Sequence, residues 1–158
     1  MNPALITAIK LNSCRCPLMD LSAAEEYLNV PPSTLNALFE SGELAWAWNF
    51  GDGRARKDVR ILTHCIVERA TGKISAIGAT RNLKLPDVVN LILPQAIESM
   101  RGAELQRVFH VSADLIRDLH RAGEIKKIAE RLPAVGPNAS PRFTRASLVK
   151  LLEKRRIV

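Results

Sequence analysis

Apolar positions fall at helical spacing in two separated stretches of this chain. Leu35 and Leu38 stand three residues apart, Ile116 and Leu119 repeat the step, and each pair precedes a glycine, Gly42 or Gly123, placed where a helix should stop. Residues 21–44 align with residues 102–125 at a constant offset of 81 without a gap, which superposes Val30 on Val111, Gly42-Glu43 on Gly123-Glu124 and Leu44 on Ile125. A second block aligns at an offset of 82, with Arg60-Ile61 on Arg142-Phe143 and Ile66-Val67 on Leu148-Val149. The extra residue is absorbed between the blocks, where loops tolerate it.

Each copy reads as two short helices, a tight turn between them, and a hairpin. In the first, residues 22–28 form a helix, Asn29-Val30-Pro31 the turn, and residues 32–41 a second helix, with Pro32 tolerated in its first turn. In the second, Ser112 caps a helix that runs to Ala122. Alternating Trp46, Trp48 and Phe50 then share one strand face, Gly51-Asp52-Gly53 makes a turn, and residues 54–61 return. On the return strand Arg54, Arg56, Asp58 and Arg60 share a solvated face opposite Val59 and Ile61. Thr63 reads as the N-cap of a helix reaching residue 70. The second copy has a longer wing, broken by Pro133, Gly136, Pro137 and Pro141, before a last helix over residues 145–154.

With 47% apolar and 25% charged residues, the 158-residue chain has a globular composition rather than a disordered one. Its apolar runs are far shorter than the roughly 18 residues a bilayer-crossing helix needs, so no membrane span is expected. Residues 1–11 carry Lys10 inside a short apolar stretch and do not read as a secretory signal. A cytoplasmic protein is expected. Three cysteines, Cys14, Cys16 and Cys65, are too few for a disulfide scaffold and read as reduced thiols.

The charge is unevenly placed. Residues 1–50 hold two basic and five acidic side chains, a balance of −3, while the rest holds 21 basic and 11 acidic, a balance of +10. A basic remainder suits a polyanionic partner, since Lys and Arg release counterions from phosphate.

Two helices, a turn, a Gly-Glu-Leu or Gly-Glu-Ile ending, a basic wing and Arg-Ile or Arg-Phe before a last helix together resemble the excisionase and MerR-like winged helix-turn-helix superfamily, in tandem. The tandem is also similar to the C-terminal DNA-binding part of TniQ-type transposon-targeting proteins, in which case the chain is a fragment. The resemblance implies a mainly α fold with small β-hairpin wings: an N-terminal helical segment (1–19), module 1 (20–71), a partly helical connection (72–100) and module 2 (101–158). It further implies binding of double-stranded DNA, with each second helix in a major groove and each wing on the backbone.

The two copies bring different chemistry to that role. The second helix of copy 1 presents Ser33, Thr34, Asn36, Ala37 and Glu40, and its cations sit in the wing, at Arg54, Arg56, Lys57 and Arg60. The second helix of copy 2 offers Arg117, His120 and Arg121, followed by Lys126 and Lys127, with Arg142 in the wing. Arginine meets guanine edges or phosphates with two parallel hydrogen bonds, so copy 2 is the expected base reader. Arg117 and Arg121 also fit a plain solvated helix face beside Asp114 and Asp118. The acidic helix of copy 1 suits either DNA anchoring through its wing or a protein contact.

Other constellations carry less. Trp46, Trp48 and Phe50 fit core packing better than a stacking platform for unpaired bases. Cys14, Cys16, His64 and Cys65 have poor zinc-ligand spacing, and neither metal nor cofactor is expected. Val88, Val89, Leu91, Ile92 and Ile97 make the connection too apolar for a free linker; one or two short packed helices are expected, with self-association as the alternative use. No phosphate loop or nucleophile motif stands in the chain, so no catalytic residue is named.

The resulting expectation is a non-catalytic, sequence-specific regulator of transcription or recombination on two half-sites about one helical turn apart. Its companions would be a recombinase, transposition or transcription protein. A protein-interaction adaptor on the same scaffold is the competing expectation.

Overall fold

The computed structural model of the chain describes residues 16–53, 55–74, 78–128 and 141–158. The expected N-terminal helical segment (1–19) lies outside these residues up to residue 15, and its end is a strand at Leu18 and Met19 instead, because these residues pair with Leu62 and Ile61; residues 129–140 of the expected long wing also lie outside. Seven α-helices and two small antiparallel sheets are described. No described helix is long and apolar enough to cross a membrane.

Copy 1 opens with β1 (Leu18–Asp20), whose last residue caps α1 (Leu21–Leu28): Asp20 Oδ1 accepts from the Ala23 amide at 2.7 Å. The helix ends at Asn29, which adopts the left-handed conformation (φ 54°) that a short polar side chain tolerates. Pro32 then starts α2 (Pro32–Glu40), where its missing amide costs nothing, and Gly42 at φ 74° turns the chain out. β2 (Ala47–Asn49) and β3 (Val59–Leu62) complete a sheet of order β1-β3-β2, and α3 (Thr63–Thr71) follows.

Copy 2 repeats this with the offsets of the sequence alignment. β4 (Ser99–Arg101), α5 (Gly102–Phe109) and α6 (Ala113–Arg121) start 81 residues after β1, α1 and α2, and α7 (Arg145–Arg155) starts 82 after α3. The helix-joining turn again holds a left-handed residue, His110 at φ 52°, and Gly123 at φ 75° ends α6. Strand registers match as well, with Met19 opposite Ile61 and Met100 opposite Phe143, where β4 pairs with β5 (Arg142–Thr144). Lys127 bridges Phe143 as Ala47 faces Ile61.

Several local expectations change. The return strand begins at Val59 rather than residue 54, because Arg56–Asp58 closes into a single 3-10 turn. Thr63 is not an N-cap; it is the first residue of α3, and its hydroxyl donates to the Cys16 carbonyl at 2.8 Å. The connection holds a single 3-10 turn at Thr80–Asn82 and then α4 (Leu85–Ile92), which buries Val88, Val89 and Ile92, while Leu91 and Ile97 stay half-exposed rather than buried. Arg145 clamps this helix to copy 2 through Asn90 Oδ1 and the Leu93 carbonyl, both at 2.9 Å.

One apolar cluster runs through both copies. Trp46, Trp48 and Phe50 are all buried in it. Phe50 stacks on Phe109 of copy 2 with centroids 5.0 Å apart, and Trp48 Nε1 donates to the Leu152 carbonyl in α7 at 2.9 Å. The chain end then extends the sheet of copy 1: Trp48 bridges Arg156, and the Ile157 amide donates to the Ala47 carbonyl at 2.9 Å. The rings are core, and no face is left for unpaired bases.

Because the copies share a core, a single cooperative unfolding transition is expected. Trp48→Phe strands the Leu152 carbonyl and should cost about 1–3 kcal/mol. Chemical denaturation followed in parallel by tryptophan fluorescence and far-UV circular dichroism checks both; two separated transitions in the wild-type protein would refute the shared core.

Candidate nucleic-acid interface

The second helix of each copy leaves one face in water. On α2 this face carries Ser33, Thr34, Asn36, Ala37 and Glu40, all exposed. One cation of the following loop already meets this face: Arg56 donates to Asn36 Oδ1 at 2.7 Å and pairs with Glu25 of α1. A polar side chain expected to read bases and an arginine expected to hold phosphate therefore satisfy each other. Arg54 lies outside the described residues, and Lys57 is exposed.

Arg60 is a correction. It is 7% exposed, not on a solvated wing face, because the second copy covers it. Its Nε donates to the His110 carbonyl at 2.7 Å and its Nη1 to the carbonyls of Lys57 (2.6 Å) and Val59 (2.8 Å). Burial lowers its pKa, opposed by the charges of Asp20 and Asp58. This guanidinium is a bracket between copies, and no phosphate reaches it in this arrangement.

On α6, Arg117 and Arg121 are 58% and 71% exposed. Each meets the aspartate three residues earlier, Arg117 with Asp114 at 2.7 Å and Arg121 with Asp118 at 3.6 Å. Such solvated pairs hold their partners weakly and exchange for phosphate or a base edge at little cost. His120 departs from the expected face: its ring is half-buried, edge-on to Phe143, with Nδ1 3.1 Å from the Ile125 carbonyl. Arg142 is likewise half-buried and donates through Nε to Ser99 Oγ at 2.9 Å. Lys126 and Lys127 are exposed just beyond the Gly123 turn, at the C-terminal end of α6. On copy 2 the exposed candidates are thus Arg117, Arg121, Lys126 and Lys127; on copy 1 Ser33, Thr34 and Lys57 stay exposed without an arginine on the helix beside them.

Two features escaped the sequence reading. Arg101 and Arg107 are exposed on β4 and α5, and their partners at offset 81 are Asp20 and Glu26. With Asn36 against Arg117 and Glu40 against Arg121, the same backbone positions change from acidic or neutral in copy 1 to basic in copy 2. The alignment itself carried this signal. Arg155 had no comparable signal: it is 14% exposed at the end of α7, donates to the Gly51 carbonyl at 2.7 Å and Asp52 Oδ1 at 2.9 Å, and pairs with Glu124. No three or more His, Cys, Asp and Glu side chains gather as metal ligands among the described residues; Cys14 lies outside them.

The Arg155 hydrogen bond holds the Glu124 carboxyl below the ordinary glutamate value of 4.5, against the opposing effect of burial. A lowered folded pKa adds stability that is present above the ordinary range and lost as pH falls through the folded value. Glu124→Gln should therefore cost about 1–3 kcal/mol at pH 7 and progressively less in acid, read from melting temperatures of both proteins between pH 7 and pH 3. A gap that does not narrow in acid would remove Glu124 as its source. Compared with family models, curated protein sequences and solved structures, the chain gives no match.

Proposed function

We propose that this is a non-catalytic, sequence-specific double-stranded DNA-binding protein built from two winged helix-turn-helix units, with α6 of the second unit as its reading helix. One observation carries the proposal. α6 is the second of two helices joined by a tight turn and exposes two arginines, with two exposed lysines just beyond its end, whereas the equivalent α2 exposes no Lys or Arg. In this reading Arg117 and Arg121 meet base edges in a major groove, and Lys126 and Lys127 hold flanking phosphates. The role is regulation of transcription or recombination; target recognition within a transposon-targeting protein uses the same chemistry.

A protein-adaptor reading applies to copy 1 in particular. Arg56 is spent on Glu25 and Asn36, and Glu40 stands exposed among small polar side chains. That face attracts no polyanion. It fits a contact with another protein of the transcription or recombination machinery.

Four exposed cations imply that log affinity falls by roughly three to four units per decade of salt. Arg117→Ala with Arg121→Ala should reduce the preference for a selected duplex over a scrambled one by roughly 10- to 100-fold, whereas Lys126→Ala with Lys127→Ala should weaken both duplexes alike and flatten the salt slope by about two. Titrations by fluorescence anisotropy on a duplex selected from a random library measure all three. A flat salt dependence in the wild-type protein would overturn the DNA reading in favour of the adaptor.

A further inference from the structure

One short pattern stands twice in α6: Asp114-Leu115-Ile116-Arg117 is followed at once by Asp118-Leu119-His120-Arg121. Both close in the same way. Nη1 of Arg117 donates to Oδ1 of Asp114 at 2.7 Å, and Nη1 of Arg121 stands 3.6 Å from Oδ1 of Asp118. All four side chains are exposed. Both aspartates border a cleft that Lys57 and Arg155 also line, yet among the described residues each aspartate forms its ion pair with its own arginine. The equivalent positions of α2 hold Ser33, Asn36, Ala37 and Glu40, so the shared frame asks for no such pair.

A guanidinium held through Nη1 keeps its opposite edge free. Nε–H and Nη2–H lie side by side along that edge, and they are the two parallel donors that guanine O6 and N7 accept in a major groove. Phosphate oxygens would satisfy the same edge, but they would bring negative charge against the aspartate beside it. A guanine brings neutral acceptors, and its partner cytosine offers an N4 amino group to a carboxylate. We propose that the two Asp-x-x-Arg pairs make α6 a reader of two guanines on one strand: each arginine meets a guanine, and each aspartate positions that arginine and weights it against phosphate. Four residues advance a helix by about 6 Å, and reading helices bring residues three apart to successive bases, so the two guanines stand adjacent or one position apart. The inference rests on the DNA-binding reading and names the base it selects. Repulsion of the wrong contact supplies specificity beside attraction of the right one. Pairs that served the helix alone would act on stability and leave base choice untouched.

Selection from a random duplex library with the wild-type protein should enrich the two guanines at that spacing. Replacing either by 7-deazaguanine, which puts a C–H in place of the N7 acceptor, should weaken wild-type binding by roughly 10-fold. Arg117→Ala should abolish that loss at one guanine and Arg121→Ala at the other. Asp114→Asn with Asp118→Asn removes two charges and keeps a side-chain oxygen at each position. This double variant should bind a guanine-free duplex roughly three- to tenfold more tightly and lose less than about threefold to 7-deazaguanine. The control, Glu26→Gln with Glu153→Gln, makes the same charge change at exposed positions away from α6 and should shift either quantity by less than about twofold. Selected duplexes without the two guanines, or a 7-deazaguanine loss as large in the Asn pair as in the wild-type protein, would overturn the inference and leave the DNA reading standing. Absence of binding to any duplex at low salt would overturn both.

Discussion

Trp48 is the side chain on which the arrangement of the two copies depends. Its ring is fully buried, its indole N–H is satisfied by the Leu152 carbonyl of α7, and its backbone bridges Arg156 after that helix. An indole N–H buried without an acceptor carries a desolvation penalty, so the ring can stay in the core only while α7 of the other copy is present. Units of about 50 residues bury only about 60% of the surface their chain exposes and are marginal alone. Phe50 on Phe109 and the extension of the first sheet by the chain end meet the same need. The repeat is thus two copies of a backbone around one core.

Joining the copies consumes cations. Arg60 and Arg155 both cross between them, and their planar forks suit the task because each can reach several carbonyl or carboxylate oxygens at once. Arg145 does the same for α4, and Arg142 for the Ser99 strand. The formal charge of +7 therefore overstates what a polyanion would meet. What counts for long-range attraction is the exposed remainder, and on the second helix and the residues following it this remainder belongs to copy 2.

Much of the frame was legible in the sequence because it is local. The i,i+3 apolar pairs, Pro32 at a helix start, Ser112 as a cap and glycines at positive φ act over a few residues, and α1, α2 and α6 lie within a residue or so of their expected bounds. The site was less legible because its decisive contacts are distant. Alternation along residues 54–61 placed Arg60 in water, but its partner is the carbonyl of a residue 50 positions away. Thr63 had the composition of a cap and was drawn instead to the Cys16 carbonyl, 47 positions back. His120 sits on a helix where exposure was expected, yet the chain returning after Gly123 brings Ile125 and Phe143 against it. Periodicity assigns a face; it does not say what will cover that face.

A duplicated frame can carry two different surfaces because frame and charge occupy different positions. Asn29 and His110 must accept a left-handed turn, Gly42 and Gly123 must end a helix, and Leu35 and Ile116 must fill the core; these demands bind both copies equally. No such demand falls on the exposed positions held by Glu26 and Arg107, or by Glu40 and Arg121. Charge can reverse there at almost no cost to folding, since an isolated exposed charge contributes little to stability. Its effect on what approaches is large, because fields from several such groups add across a surface. The fusion fixes where the difference stands: with Trp48 and Arg155 holding the copies together, Gly51, Asp52, Lys57 and Asp58 of one copy lie beside the second helix of the other, whose exposed face is the one that carries arginine.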